Sequence, residues 1–238
     1  MSLPNLDIRF EEAVVAFWNA RDRQQKKQEA SGRNDAGTRG AVTGGGQMEQ
    51  IEQLIVDILL KGGVPQSCIF TKSALELPGY FRPEKKWDLL AVKDEQLFCA
   101  IEFKSQVGPS FGNNFNNRVE EAIGSATDIW TAYREGRLGT GPRPHLGYFF
   151  LLEDCPEVHK PVKANEPHFK TDPAFTGASY SGRYELLCRR LVLERLYDAA
   201  CLTLSPKAAP HSISHPADDQ TFRRFAMEIE AVALRFGQ

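Results

Sequence analysis

Apolar positions recur along this chain with two different periods, and the switch between them marks out its parts. Leu6, Phe10, Val14, Phe17 and Trp18 follow helical spacing and predict a helix over 6–30, although its later stretch RDRQQKKQEA is polar on all sides. Six glycines fall between Gly32 and Gly46, and no GK[ST] follows them. The segment is therefore not a phosphate-binding P-loop, and its composition alone reads as a linker. A second helix starts near Met48, carries Ile51, Leu54, Ile55, Ile58 and Leu59 on one face, and stops at Gly62-Gly63.

From Cys68 the period shortens. CIFT and GYF are strand candidates, and WDLLAVKDEQLFCAIEFKSQ reads as a hairpin turning at Lys93-Asp94-Glu95-Gln96. Strict alternation puts Leu97, Cys99, Ile101 and Phe103 on one face of its second strand, and Phe98, Ala100, Glu102, Lys104 and Gln106 on the other. GPSFGNN reads as a loop, NNRVEEAIGSATDIWTAYREG as a helix ending at Gly136, and LGYFFLLE as a central strand. A loop rich in proline and charge covers about 154–175, and helices over 180–200 and 221–236 close the chain. This order predicts a single α/β domain with helical additions.

Composition narrows the functional classes. With 238 residues, 42% hydrophobic and 25% charged, wholesale disorder is excluded. A net charge of −2 gives no global basic field, so nucleic-acid binding needs positive residues gathered on one face. No apolar run approaches the roughly 20 residues of a membrane span. The opening MSLPNLDIRFEE lacks a signal peptide's apolar stretch, so a soluble cytoplasmic protein is expected. The five cysteines form no CxxC pair; Cys99 and Cys188 read as buried free thiols of a reducing compartment. His211 and His215 have a helical metal-ligand spacing, but Pro210 and Pro216 bracket them and argue against a helix.

The chemistry concentrates between Asp88 and Gln106. Glu102 and Lys104 point the same way from the apolar strand IEFK, where an acid and an amine are costly to bury unless they are paired or bind something. Asp88 opens the preceding strand. A three-residue turn sets it opposite Ala100 or Glu102; a two-residue turn sets it opposite Ile101, on the wrong face, unless a bulge restores the register. Two converging carboxylates make a hard oxygen site suited to Mg²⁺, and a neighbouring ammonium can orient a water or oppose charge on a phosphate. The spacing Asp88-x13-Glu102-x-Lys104 resembles the PD-(D/E)xK nuclease pattern, with Trp87 where a proline often stands. The plainer alternative is a half-exposed hairpin with a Glu–Lys surface pair, worth under roughly 1 kcal/mol. Glu49 and Glu52, on the preceding helix, are candidate accessory acids, though exposed helical glutamates are the plainer reading.

GPSFGNNFNNR gathers Asn113, Asn114, Asn116, Asn117 and Arg118 where a helix begins. Asparagine and arginine make paired contacts with adenine and guanine, and a helix N-terminus favours phosphate. Capping accounts for one asparagine, not four with an arginine. Arg82, Lys85 and Lys86 lead into Asp88 and are candidates for phosphate contacts, with a solvated loop as the alternative.

ELPGYFRPEKKWDLL, AIEFKSQVGPSFGNNFNNR, EEAIGSATDIWTAYREG and GRYELLCRRLVLERLYDAA, together with FWNARDRQ and DAGTRGAVTGGGQM, resemble the XhoI-type restriction endonucleases over essentially the whole chain. That resemblance implies a restriction-endonuclease-like α/β core of the PD-(D/E)xK superfamily, a mixed central sheet flanked by helices, with extra N- and C-terminal helices. It would form one domain over 1–238: an N-terminal helix 6–30, a Gly-rich loop 32–47, a catalytic core 48–153 and C-terminal helices 179–236. It further implies a Mg²⁺-dependent type II enzyme, expected to cut double-stranded DNA at the palindrome 5′-CTCGAG-3′ with four-base 5′ overhangs. Asp88, Glu102 and Lys104 match the catalytic residues, and Asp88, Glu102 and the Phe103 carbonyl are the expected metal ligands. Gln106 stands beside them as an accessory residue on the same strand face. A homodimer and a host DNA methyltransferase partner are implied as well. The Gly-rich stretch then becomes an ordered or DNA-ordered loop whose Arg39 approaches the duplex. A structure-specific repair or junction-resolving nuclease of the same fold, and a catalytically silent DNA-binding protein, are the alternative readings.

Overall fold

The computed structural model describes residues 3–30 and 45–236. Its centre is a five-stranded mixed sheet in the order β1-β4-β5-β6-β7, built from β1 (Ile69–Phe70), β4 (Leu89–Lys93), β5 (Gln96–Gln106), β6 (His145–Glu153) and β7 (Ala199–Ser205). β1, β4 and β5 pair antiparallel, whereas β5, β6 and β7 run parallel. Parallel neighbours need long crossovers. These are supplied by α3 (Phe111–Arg134) between β5 and β6, and by α4 (Pro156–His159) and α5 (Tyr180–Leu193) between β6 and β7. A separate two-stranded ribbon, β2 (Glu76–Pro78) with β3 (Glu84–Lys86), leads into β4.

Two apolar layers enclose the sheet. On one face α1 (Leu6–Ala30), α2 (Glu49–Lys61) and α6 (Phe222–Phe236) cover Leu89, Cys99, Ile101, Phe149 and Cys201. On the other, α3 and α5 cover Leu90, Ala100, Tyr148, Phe150 and Leu202. β6 is buried on both sides, as its unbroken apolar run requires. The apolar half of α1 lies in the first layer, where the Trp18 indole N–H donates to Ser205 Oγ at 2.9 Å. All five cysteines are free, and Cys99, Cys188 and Cys201 are buried, where loss of hydration pushes their thiols above the ordinary range.

Most of the expected elements form, and several details differ. GYF is not a strand: Gly79, Tyr80 and Phe81 are the bend joining β2 to β3. The expected helix over 180–200 ends at Leu193, because Arg195 takes a left-handed φ of 56° and the chain then extends into β7. The expected helix takes in only Ala199 and Ala200 of the AACLTLS run and no strand is expected there, although its small and apolar residues suit a strand buried on both faces. Helix α3 begins at Phe111, so Asn113, Asn114, Asn116 and Asn117 lie within its first turns and none caps it; Ser110 holds the N-cap position. Finally, Leu97 and Phe98 exchange the faces that strict alternation assigns them. Leu97 joins the α3/α5 layer, and Phe98 packs at 4.5 Å against Phe236 of α6. His211 and His215 lie outside any helix.

Of the Gly-rich stretch over 32–47, Gly45–Gln47 form a short 3-10 turn; the rest, with Arg39, lies outside the described residues. Among the described residues, no helix is long and apolar enough to cross a membrane.

His145, buried at the start of β6, has its pKa brought down to about 4 by burial and by Arg235 and Arg143, against the pull of Asp198. Unfolded, it accepts a proton near 6.5. The stability tied to its neutral form is therefore complete above about pH 6.5 and is lost as pH falls towards 4, at up to about 1.4 kcal/mol per unit. Urea denaturation across that window should show a declining midpoint, and His145→Gln should flatten the decline. An equal slope in the variant would remove His145 as its source.

Candidate active site

The β4–β5 turn has two residues, Asp94 and Glu95, both with left-handed φ (50° and 61°), as tight hairpins demand. Such a turn pairs Val92 with Leu97, and continued unbroken it would oppose Asp88 to Ile101. Instead the register shifts between Ala91 and Val92, so that Ala91 pairs with Cys99 and Leu89 with Ile101. Phe98 is the extra residue of a β-bulge. Carried one residue further, the shifted register sets Asp88 opposite Glu102. The bulge thus meets the condition that the sequence imposed, and the same slip exchanges the faces of Leu97 and Phe98.

Asp88 Oδ2 accepts the Phe103 backbone N–H at 2.8 Å. Glu102, only 2% exposed, is answered on every side. Its Oε1 meets Lys104 Nζ at 2.8 Å and Lys85 Nζ at 3.2 Å, while its Oε2 accepts the Tyr197 hydroxyl at 3.0 Å. Burial alone would raise the Glu102 carboxyl, but Lys104 and Lys85 outweigh it and hold the group below the carboxylate range. Burial likewise opposes the charge on Lys104, yet Glu102 and Asp88 lift its ammonium above the ordinary value. Lys85, which also sits 4.0 Å over the Trp87 ring, is pulled down by burial despite Glu102. A buried ion pair gains little net stability, because desolvation offsets attraction, so this cluster is poorly explained as a stabilising device.

The acids are less well served. Burial raises the Asp88 carboxyl against the pull of Lys104 and the Phe103 N–H. Glu52, half-buried on α2, is pushed up to about 7 by burial, then by Asp88 and Glu49. Glu52 thus lies within the electrostatic reach of Asp88, whereas Glu49 is exposed and pairs with Lys72 at 3.3 Å. Carboxylates lifted by each other and by desolvation suit a divalent cation, which would supply the missing charge. Among the described residues no three acidic, imidazole or thiol side chains form a ready-made metal cage. Two carboxylates with waters fit Mg²⁺ better than a metal held wholly by protein.

The other candidates distribute unevenly. An open cleft of about 720 Å³ beside the site is lined by Glu102, Lys104, Lys85, Arg82 and Arg118. Arg118 pairs with Glu121, and its Nε is buried without a partner. Asn113, Asn116 and Asn117 are exposed on the first turns of α3, Asn114 is half-buried there, and Lys86 is exposed on β3. Gln106 is buried and donates to the Val107 carbonyl at 2.9 Å, while Glu102 draws its partners from Lys104, Lys85 and Tyr197. Sequence reasoning missed two partners of Glu102. Tyr197 fell in a stretch read as helix, and its only signal was the switch to strand pattern after it. Lys85 was read as a phosphate contact; the EKK alternation that turns it inward, between exposed Glu84 and Lys86, was the available clue.

Comparison with known proteins bears on most of the chain. The family model for restriction endonuclease XhoI matches residues 27–215. The chain is 54% identical over 184 residues to type II restriction enzyme BstVI of Geobacillus stearothermophilus, covering 75% of this chain and 82% of that protein. It is 48% identical over 171 residues to type II restriction enzyme AbrI of Azospirillum brasilense (71% and 77%). To type II restriction enzyme XhoI of Xanthomonas vasicola it is 46% identical over 183 residues (76% and 73%). No solved structure matches.

Two substitutions test the electrostatics. Tyr197→Phe removes the hydroxyl from a buried carboxylate and should cost roughly 1.5–3 kcal/mol in urea denaturation; unchanged stability would mean that the bond does not form. Glu52 has its pKa raised in the fold, so its contribution to stability is complete below about pH 4.5 and is lost as pH rises through about 7. Glu52→Gln should therefore denature at higher urea than the wild type at pH 8 without divalent metal, and at the same urea near pH 4.5. A gap that does not depend on pH would contradict this.

Proposed function

The chain belongs to the XhoI restriction endonuclease family and is a type II site-specific deoxyribonuclease acting on double-stranded DNA; from that premise we propose that Asp88, Glu102 and Lys104 are its catalytic residues. The observation that carries this reading is the bulged register, which sets the two acids opposite each other with Lys104 bonded to one of them. Type II restriction endonucleases generally use Mg²⁺, and the hard oxygen donors here fit it.

Asp88, Glu102 and the Phe103 carbonyl would hold the ion. Within a strand a residue's N–H and C=O face the same edge, so the Phe103 N–H on Asp88 turns its carbonyl towards the same place. Bound there, Mg²⁺ would supply Lewis acidity for the scissile phosphate and a lowered pKa for the attacking water. Lys104, held as an ammonium, orients the attacking water and opposes the negative charge that develops on the phosphate oxygens. Tyr197 and Lys85 keep Glu102 ionised and fixed, and Glu52 adds negative charge on the Asp88 side. One phosphodiester is hydrolysed per strand, leaving 5′-phosphate and 3′-hydroxyl ends.

The expected target is 5′-CTCGAG-3′ cut to four-base 5′ overhangs, carried over from the family resemblance. Exposed Asn113, Asn116 and Asn117 with Arg118 are the proposed readers of base edges; Lys86 and the glycine-rich stretch with Arg39 are the proposed backbone contacts, Lys85 being turned inward onto Glu102. A palindrome calls for a two-fold dimer with one site per subunit. Met227 and Leu234, exposed on one stripe of α6, support the terminal helices as its interface. A cognate methyltransferase protects host DNA in the cytoplasm.

Incubating the purified protein with a sequenced plasmid and Mg²⁺, then mapping the ends, tests the reading. Discrete fragments ending at the palindrome are expected; cutting that follows branches or damage would favour a structure-specific nuclease instead. Glu102→Ala should abolish cleavage while retaining most DNA binding in Ca²⁺. Lys104→Ala should lower the rate by about 10²-fold or more, and near-normal cutting would remove it from the mechanism.

A further inference from the structure

The bend between β2 and β3 places two aromatic rings in solvent at the mouth of the cleft. Phe81 is 71% exposed and Tyr80 47%, and their rings meet edge to face at 4.9 Å. A loop tip of this kind is ordinarily held by little, but this one is clamped. Asp128, buried on α3, accepts the Tyr80 N–H at 2.7 Å, the Phe81 N–H at 2.9 Å and Arg82 Nε at 2.6 Å. Burial opposes its charge, yet the Phe81 N–H, the Arg82 guanidinium and the Tyr80 N–H together hold the carboxyl below the ordinary range. Gly79 seals the turn: a Cβ there would stand 2.6 Å from the Arg82 carbonyl and 2.7 Å from Asp128 Oδ2.

A carboxylate of α3 given over to three bonds that fix a pair of solvent-facing rings is an unusual commitment in a loop that meets nothing. The position of the tip says what it meets. Phe81 and Arg82 line the same cleft as Lys85, Glu102 and Lys104, so the tip adjoins the hydrolytic site. Arg82, Lys85, Lys104 and Arg118 line the cleft beside Glu102, Glu120, Glu121 and Asp128, so it offers N–H donors for phosphate oxygens although its charges balance. Aromatic rings on a rigid turn beside cations suit apolar contact with sugars and base faces, as in proteins that press a ring into a groove.

We propose that Tyr80 and Phe81 form a DNA-contacting tip, with Phe81 packed on the sugar and base faces of the duplex next to the phosphate being cut, and Asp128 as its positioning residue. The inference rests on the reading of the cleft as the hydrolytic site. Its occupant is the substrate duplex itself, because Phe81 shares the wall of one cleft with Lys104.

The experiment uses the full chain and a duplex containing 5′-CTCGAG-3′. In Ca²⁺, Phe81→Ala should raise Kd roughly 10- to 100-fold, and in Mg²⁺ the loss should fall on KM rather than kcat. The slope of log Kd against log salt should stay as in the wild type, because no ionic contact is lost. Trp18, Trp87 and Trp130 are all buried, so in Phe81→Trp the new indole reports the tip, and its emission should change as the duplex is titrated in. Wild-type Kd and KM in Phe81→Ala, or an indole indifferent to DNA, would overturn the proposal. So would an altered oligomeric state with DNA affinity intact, which would assign the rings to a second copy of the chain. A wild type that cuts neither this duplex nor plasmid DNA in Mg²⁺ sinks the hydrolytic reading; a wild type that cuts while Phe81→Ala matches it sinks this inference alone.

Discussion

A carboxylate on a central strand is the constraint around which this molecule is arranged. Glu102 sits in β5 at 2% exposure, where an unanswered negative charge would cost several kcal/mol. The chain answers it from three directions: Lys104 two residues along the same strand, Lys85 from the β2–β3 ribbon, and Tyr197 from the approach to β7. Elements far apart in sequence therefore converge on one side chain. Replacing the cluster with apolar residues would be a cheaper way to fill that space, so stability is a poor reason for it, and this is the ground on which catalysis is proposed.

The second acid arrives through backbone geometry. A two-residue turn is the tightest join for β4 and β5, but by itself it would turn Asp88 to the wrong face. The single extra residue, Phe98, corrects this and also turns its own ring onto Phe236. Packing and chemistry are thus coupled through one bulge. The half-compensated charge of Asp88 and the raised Glu52 carboxyl follow from bringing acids together where the protein supplies cations mainly to Glu102.

Much of this was legible beforehand, for identifiable reasons. The α1 and α2 stripes, the hairpin and the all-apolar β6 announce themselves through periodicity, and the demand for an odd turn or a bulge follows from the alternation of side chains along strands. What escaped was decided by tertiary context. β7 follows a helix without a Gly or Pro break, and Arg195 takes the left-handed turn that glycine usually provides. Helix α3 starts ahead of the asparagines because Phe111 and Phe115 have a core to enter, which local capping rules do not weigh. The roles of Tyr197 and Asp128 depend on contacts 95 and 46–48 residues away in the chain, beyond any local pattern.

The account stands or falls on two acids gripping one ion. Electron paramagnetic resonance of Mn²⁺ titrated into the protein bound to its cognate duplex measures this directly. Asp88→Asn and Glu102→Gln should each weaken Mn²⁺ binding by about tenfold or more relative to the wild type. If either variant binds the ion as the wild type does, the two carboxylates do not share it, and the site described here is not the one that cuts DNA.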